Sequence, residues 1–179
     1  MTALMLTIGV ELEFLIVCPY ELLDEDECEY DGILPIQGIV YEKLRDAGVR
    51  ASFEGYANPS SVKTKDDAYG CWQIDIDDSL KLSDVERKAV PQGWASYGME
   101  LSSRTFSLKD DDWQGEINTV LECLQSLQQI DCRVLTNEST GLHVHAGFGD
   151  EKTPLRTAKN VCSLVTAFSH CLDELHHIS

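Results

Sequence analysis

The chain has 179 residues, 43% of them hydrophobic, and its 14 Lys and Arg against 31 Asp and Glu give a formal net charge of −17. That length supports one buried core, so residues 1–179 read as a single domain. The charge repels phosphate backbones and anionic lipid, which argues against nucleic acid and membrane surfaces as partners. The seven cysteines form no CxxC pair, are odd in number and several lie inside apolar patterns, as expected of reduced thiols in a cytoplasmic protein. No basic segment precedes the first apolar run, and no stretch is long enough and apolar enough to span a bilayer.

In chain order, Leu4 to Val17 reads as a long strand ending at Cys18-Pro19, and the acidic stretch from Asp24 to Asp31 as a solvated loop. Ile39, Val40, Leu44 and Ala47 mark one face of a helix over 36–47, with Gly48 as its C-cap. Residues 49–53 read as a short strand and 57–68 as a polar insertion loop. Tyr69 to Ile76 is strand-like and runs into the turn Asp77-Asp78-Ser79, whereas 80–92 carries no assignable period. Ser96 to Phe106 reads as a strand. Trp113, Ile117, Val120, Leu121, Leu124 and Leu127 form a helical stripe whose acidic first turn suits the helix dipole. Strands follow over 132–135 and 142–148. Thr153-Pro154 then opens a final helix to about Leu175, apolar at Leu155, Ala158, Val161, Cys162, Val165, Phe168 and Leu172. This order predicts an α+β fold, a mainly antiparallel sheet with helices packed on one face.

Two strand segments carry chemistry. In Ile8-Gly9-Val10-Glu11-Leu12-Glu13-Phe14, Glu11 and Glu13 leave one face of a strand and the apolar residues leave the other. Gly141-Leu142-His143-Val144-His145-Ala146-Gly147 does the same with His143 and His145. Taken alone, the glutamates also fit the wet face of an edge strand. The apolar residues on either side, however, suit a central strand, where carboxylates need partners and cations supply them. Same-face residues two apart are about 7 Å apart along a strand, so each carboxylate reaches its own divalent ion in a two-metal arrangement. The imidazoles by themselves suit zinc; joined to carboxylates, the set is oxygen-rich and favours Mg²⁺ or Mn²⁺.

Two further segments complete a pattern: Trp72 with Asp77 and Ser79, and Glu100 with Ser103. In the order Gly9-Val10-Glu11-Leu12-Glu13-Phe14, Trp72…Asp77-Asp78-Ser79, Glu100…Ser103 and Gly141-Leu142-His143-Val144-His145, followed by a long helix, the chain resembles the amidoligase family of the glutamine synthetase-like carboxylate–amine ligases. The resemblance covers nearly the whole chain. It implies a curved antiparallel sheet with metals and nucleotide on its concave face and helices outside, as in a glutamine synthetase catalytic domain. It further implies that Glu11, Glu13, Glu100 and His143 hold divalent cations bridging the ATP phosphates. His145, with Ser103 and Arg104, would face the nucleotide, and Asp77 and Ser79 the substrate. Glu100, His145 and Asp77 would then stand nearest the reacting atoms. The implied chemistry is phosphoryl transfer from ATP to a carboxylate, followed by amine attack on the acyl phosphate. The implied substrates are small-molecule or peptide carboxylates and amines, with amino acids or peptides as the class.

Two departures accompany the resemblance. Arg104 follows the Glu100…Ser103 serine where the family tends to have proline. The chain also stops at Ser179, soon after the long helix, where ligases of this type continue into a segment that supplies further phosphate-binding arginines. A C-terminally shortened domain is therefore expected, and with it three alternatives: a non-catalytic relative that binds metal or nucleotide only, an oligomer in which another chain completes the site, and a metal-dependent hydrolase using His143 and His145.

Overall fold

The computed structural model describes residues 6–23, 34–53, 70–109, 112–149 and 152–173, with side chains through Ser169. The acidic loop from Asp24 to Asp31 and the polar insertion over 57–68 lie outside the described residues.

The protein is built on one long strand, β1 (Thr7–Pro19), in an open sheet of seven strands among the described residues. A short 3-10 turn (Tyr20–Leu22) ends it, and α1 (Pro35–Asp46), β2 (Ala51–Phe53) and β3 (Trp72–Ile76) follow. Next come α2 (Asp84–Ala89), β4 (Trp94–Ser102), β5 (Phe106–Ser107) and α3 (Trp113–Ser126). A 3-10 turn (Leu127–Ile130), β6 (Arg133–Leu135), β7 (Leu142–Gly147) and α4 (Leu155–Asp173) complete the order. The strands run β2-β3-β4-β1-β5, and β6 and β7 also pair with β1. Among the described residues the ladders are antiparallel except β2–β3, which is parallel, so the sheet is mixed. A tight hairpin cannot join a parallel pair, and β2 and β3 are well separated in sequence.

The main core lies on one face. Val10, Phe14, Ile16 and Cys18 of β1 and Met99 and Leu101 of β4 meet Ile36, Val40 and Leu44 of α1 and Val120 and Leu124 of α3. Strand alternation puts every second residue of β1 and β4 into this layer, and the period of three to four residues does the same for the helices. Gly48, at φ +79°, closes α1 in the left-handed conformation expected of its C-cap. Trp72 is fully buried, donates its indole N–H to Glu116 of α3 at 2.9 Å and meets the Phe106 ring edge-on. That anchor turns Trp72, Ile74 and Ile76 inward, leaving Gln73, Asp75 and Asp77 to the opposite face.

Three expectations need correction. First, the opposite face is polar only in part: Leu15 and Val17 are buried there under Leu80 and Leu82, with Val90, Trp94 and Leu135 around them. The unbroken apolar run from Phe14 to Cys18 reflects burial on both faces. Within the covering segment, α2 starts at a capping box, in which Ser83 accepts from the Glu86 amide and Glu86 accepts from the Ser83 amide. Second, the strand expected over 96–106 breaks after Ser102. Ser103 hydroxyl accepts from Val10 N–H at 2.9 Å, and Ser103 N–H donates to the Val10 carbonyl at 2.7 Å, so a side chain replaces a ladder group. Third, α4 forms but its apolar stripe stays in solvent, with Leu155 70%, Val161 52% and Phe168 53% exposed. Leu142 and Val144, on the helix-side face of β7, are likewise exposed.

Candidate metal centre

The site grows from sheet register. Glu13 of β1 stands opposite Glu100 of β4, and Glu100 opposite Asp75 of β3, giving one transverse row of carboxylates. One pleat away, Glu11 stands between Ser102 of β4 and His143 of β7. In the next row Gly9 faces His145. Cross-strand neighbours share a face, so all of these side chains project from the side opposite α1 and α3.

Asp77 joins them from just beyond β3. Glu13, Asp77 and Glu100 each offer a carboxylate oxygen within 4.8 Å of the others, an arrangement that suits a hard divalent cation. Asp77 is fixed at both ends: its N–H donates to the Gly98 carbonyl at 3.0 Å, and its Oδ1 accepts from Ser79 N–H at 2.8 Å. The Ser79 side-chain and backbone hydrogen bonds hold the Asp77 carboxyl below its ordinary 3.8. Ser102 hydroxyl donates to Glu100 Oε1 at 2.7 Å. Donors outside the cluster thus orient two of the three carboxylates.

Beside the triad lies a second group. Glu11 contacts His145 Nε2 through Oε1 and His143 Nδ1 through Oε2, both at 3.0 Å. Its carboxyl is held below its ordinary 4.5, first by the hydrogen bond from His145 and then, against the opposing cost of burial, by His143. His143 links the groups, its Nε2 standing 3.7 Å from Glu13 Oε1. Its pKa is raised above the ordinary 6.5, first by the Glu11 hydrogen bond and next by the charge of Glu13. Gly141 makes this approach feasible, because a Cβ there would lie 3.0 Å from Glu13 Oε2 and 3.2 Å from His143 Nε2.

The expected metal set is therefore divided. Glu13 and Glu100 stand with Asp77, which the sequence resemblance had placed at the substrate, while Glu11 stands with His143 and His145. Ser79 positions Asp77. Ser103 uses its hydroxyl on Val10 N–H and the Arg104 carbonyl, which makes it a structural clasp. The Arg104 guanidinium is bound to Glu116 of α3 by hydrogen bonds of 2.8–3.1 Å and stacks over Phe106, on the helix side of the sheet. A guanidinium next to a buried-layer carboxylate is drawn there by charge, which no strand-period argument can foresee.

Residues that the sequence reading passed over also build the site. Gly98 is one, since a Cβ there would collide with the Asp77 carbonyl at 2.3 Å, and a glycine inside a strand is the signal for such close approach. Asn137 and Ser139 are others. The Asn137 amide donates to the Lys81 carbonyl and Glu86 Oε2, and Ser139 exchanges hydrogen bonds with Lys81. This docks the loop before β7 onto the 80–90 segment and fixes where Gly141 and His143 fall.

An open cleft of about 240 Å³ adjoins the second group, lined by Gly9, Glu11, Ser102, Ser103, Thr105 and His145 among others. Among the described residues no helix is long and apolar enough to cross a membrane. No curated protein and no solved structure matches the chain. A family profile described as "Putative amidoligase enzyme" matches residues 4–179, which takes in every side chain of both groups. By that match the chain belongs to the amidoligase family.

Proposed function

We propose that the protein is an ATP- and Mg²⁺-dependent carboxylate–amine ligase of the glutamine synthetase-like type, acting on an amino acid or peptide. The observation that carries this reading is the carboxylate triad of Glu13, Asp77 and Glu100 beside Glu11, His143 and His145 on one sheet face of an amidoligase. The donor set fits the group it would hold: carboxylate oxygens dominate, as hard Mg²⁺ or Mn²⁺ prefers, and closely packed carboxylates are relieved by a cation. Glu13, Asp77 and Glu100 would hold one ion, and Glu11 with His143 a second. When bound, such ions neutralise charge on a transferring phosphoryl group.

The chain's own residues do the rest. Ser79 and Ser102 keep Asp77 and Glu100 aimed at a common point, which lowers the reorganisation needed when the ligand arrives. His145 lines the adjoining cleft and is the group best placed to meet phosphate oxygens there. The Glu11 carboxylate orients His145 through the 3.0 Å contact.

The test is calorimetric binding of Mn²⁺ and of a non-hydrolysable ATP analogue to wild type, Glu13→Gln and Asp78→Asn, the last being an exposed control beside the triad. The expected result is nucleotide binding that requires the metal and a cation affinity at least about tenfold weaker in Glu13→Gln alone. ADP release that needs both a carboxylate and an amine then establishes ligation. Nucleotide binding indifferent to metal, or equal affinities in the three proteins, would sink the reading.

A further inference from the structure

β1 and β6 pair antiparallel with Val17 opposite Arg133, so the next step of the register sets Cys18 opposite Cys132. The hydrogen bonds of β1 show what kind of pair this is. Glu13 N–H donates to Gly141 on the β6–β7 side, and the Val10 carbonyl accepts from Ser103 on the β4 side. Cys18 shares the parity of Val10, so its backbone groups point to β4, where it faces Ala95. The Cys132 N–H turns away to the Leu127 carbonyl at 3.1 Å. One step past the end of that ladder, Cys18 and Cys132 continue its register at a non-hydrogen-bonded position, where Cα atoms in antiparallel strands are typically about 4.5 Å apart. That falls within the roughly 4.4–6.8 Å a disulfide spans. Both thiols are free, both are 0% exposed, and both face the same core.

We propose that Cys18 and Cys132 are a redox-closable pair, which a peroxide converts into a cross-strand disulfide tying β1 to β6. One sulfur attacks a peroxide oxygen; the O–O bond breaks and the departing oxygen leaves as water with the thiol proton. The second sulfur then attacks the resulting sulfenic sulfur, the S–S bond forms, and the S–O oxygen leaves as a second water. Two thiols lose two electrons and the peroxide gains them. The hydrogen bond from the neighbouring Cys132 and burial push the Cys18 thiol up. Because both are buried, reaction follows local opening of the short turn from Leu127 to Asp131. The bond fixes the far end of the strand that carries Glu11 and Glu13, and it closes a long loop in the unfolded chain.

The experiment treats the folded full chain with hydrogen peroxide, blocks remaining thiols under acid denaturation and maps the peptides by mass. The expected product is a Cys18–Cys132 linked peptide, loss of two of the seven thiols, and a thermal midpoint raised by roughly 10 °C that dithiothreitol reverses. Cys18→Ala and Cys132→Ala should show neither the link nor the shift. The wild-type map decides the matter even if a variant fails to fold. Peroxide-treated folded protein in which both thiols remain free, advance to sulfinic acid, or link elsewhere, for instance to Cys123, would overturn the proposal.

Discussion

Gly98 is where a single methyl group does most to the site. A Cβ there stands 2.3 Å from the Asp77 carbonyl oxygen and 2.7 Å from Leu80 Cβ, roughly 1 Å short of van der Waals contact. β4 lies between β3 and β1 and is held on both sides, so the Asp77–Leu80 turn must yield. Overpacking of this kind costs about 1–3 kcal/mol. The 3.0 Å bond from Asp77 N–H to the Gly98 carbonyl weakens as well, adding about 1 kcal/mol. Gly98→Ala should therefore lower the thermal midpoint by roughly 4–16 °C for a chain of this size. The same movement carries Asp77 away from Glu13 and Glu100, where ligand distances are tolerant to only about 0.2 Å. Calorimetry and Mn²⁺ paramagnetic resonance would read both effects, with cation affinity expected to fall by about 10–100-fold. Asp77→Asn keeps the turn and removes the charge, so it should lose affinity with little change in midpoint. A Gly98→Ala protein with wild-type midpoint and wild-type Mn²⁺ affinity would refute the close approach and the place of Asp77 in the triad together.

Arg104→Ala should destabilise the fold by about 1–2 kcal/mol, less than a fully buried pair because its side chain is 20% and that of Glu116 25% exposed; nucleotide binding lost at unchanged urea midpoint would instead put Arg104 in the site. The metal-free protein should be most stable between two pH windows. The raised His143 stabilises below its ordinary 6.5 and that contribution is lost as pH climbs through its folded value, whereas the lowered Glu11 stabilises above its ordinary 4.5 and that contribution is lost as pH falls through its folded value. A proton titration of His143 centred below 6.5 would contradict this. Phe168→Ala should change stability by less than about 0.5 kcal/mol, since Phe168 is 53% exposed. A loss of several kcal/mol in chemical denaturation would show α4 to be packed.

Much of this was legible in the chain. Alternation along Ile8 to Phe14 and Leu142 to Ala146 separates Glu11, Glu13, His143 and His145 from the apolar residues, because strand side chains alternate whatever the strand pairs with. The stripes of α1 and α3 follow from the helical period in the same way. These are local consequences of backbone geometry, so one stretch of sequence contains the whole cause. Which carboxylates meet is another matter. Glu100 reaches Glu13 through the β1–β4 register, and Asp77 reaches both because Gly98 lets a turn cross a strand. Arg104 goes to Glu116, twelve residues away, because charge and packing on the helix side draw it there. Cys18 and Cys132 meet because the β1–β6 ladder, ending at Val17 opposite Arg133, brings the adjoining residues together. By itself the sequence determined which side chains share a face. Tertiary structure alone decided which faces and ends came together, because register and crossings depend on contacts between segments that no local period records.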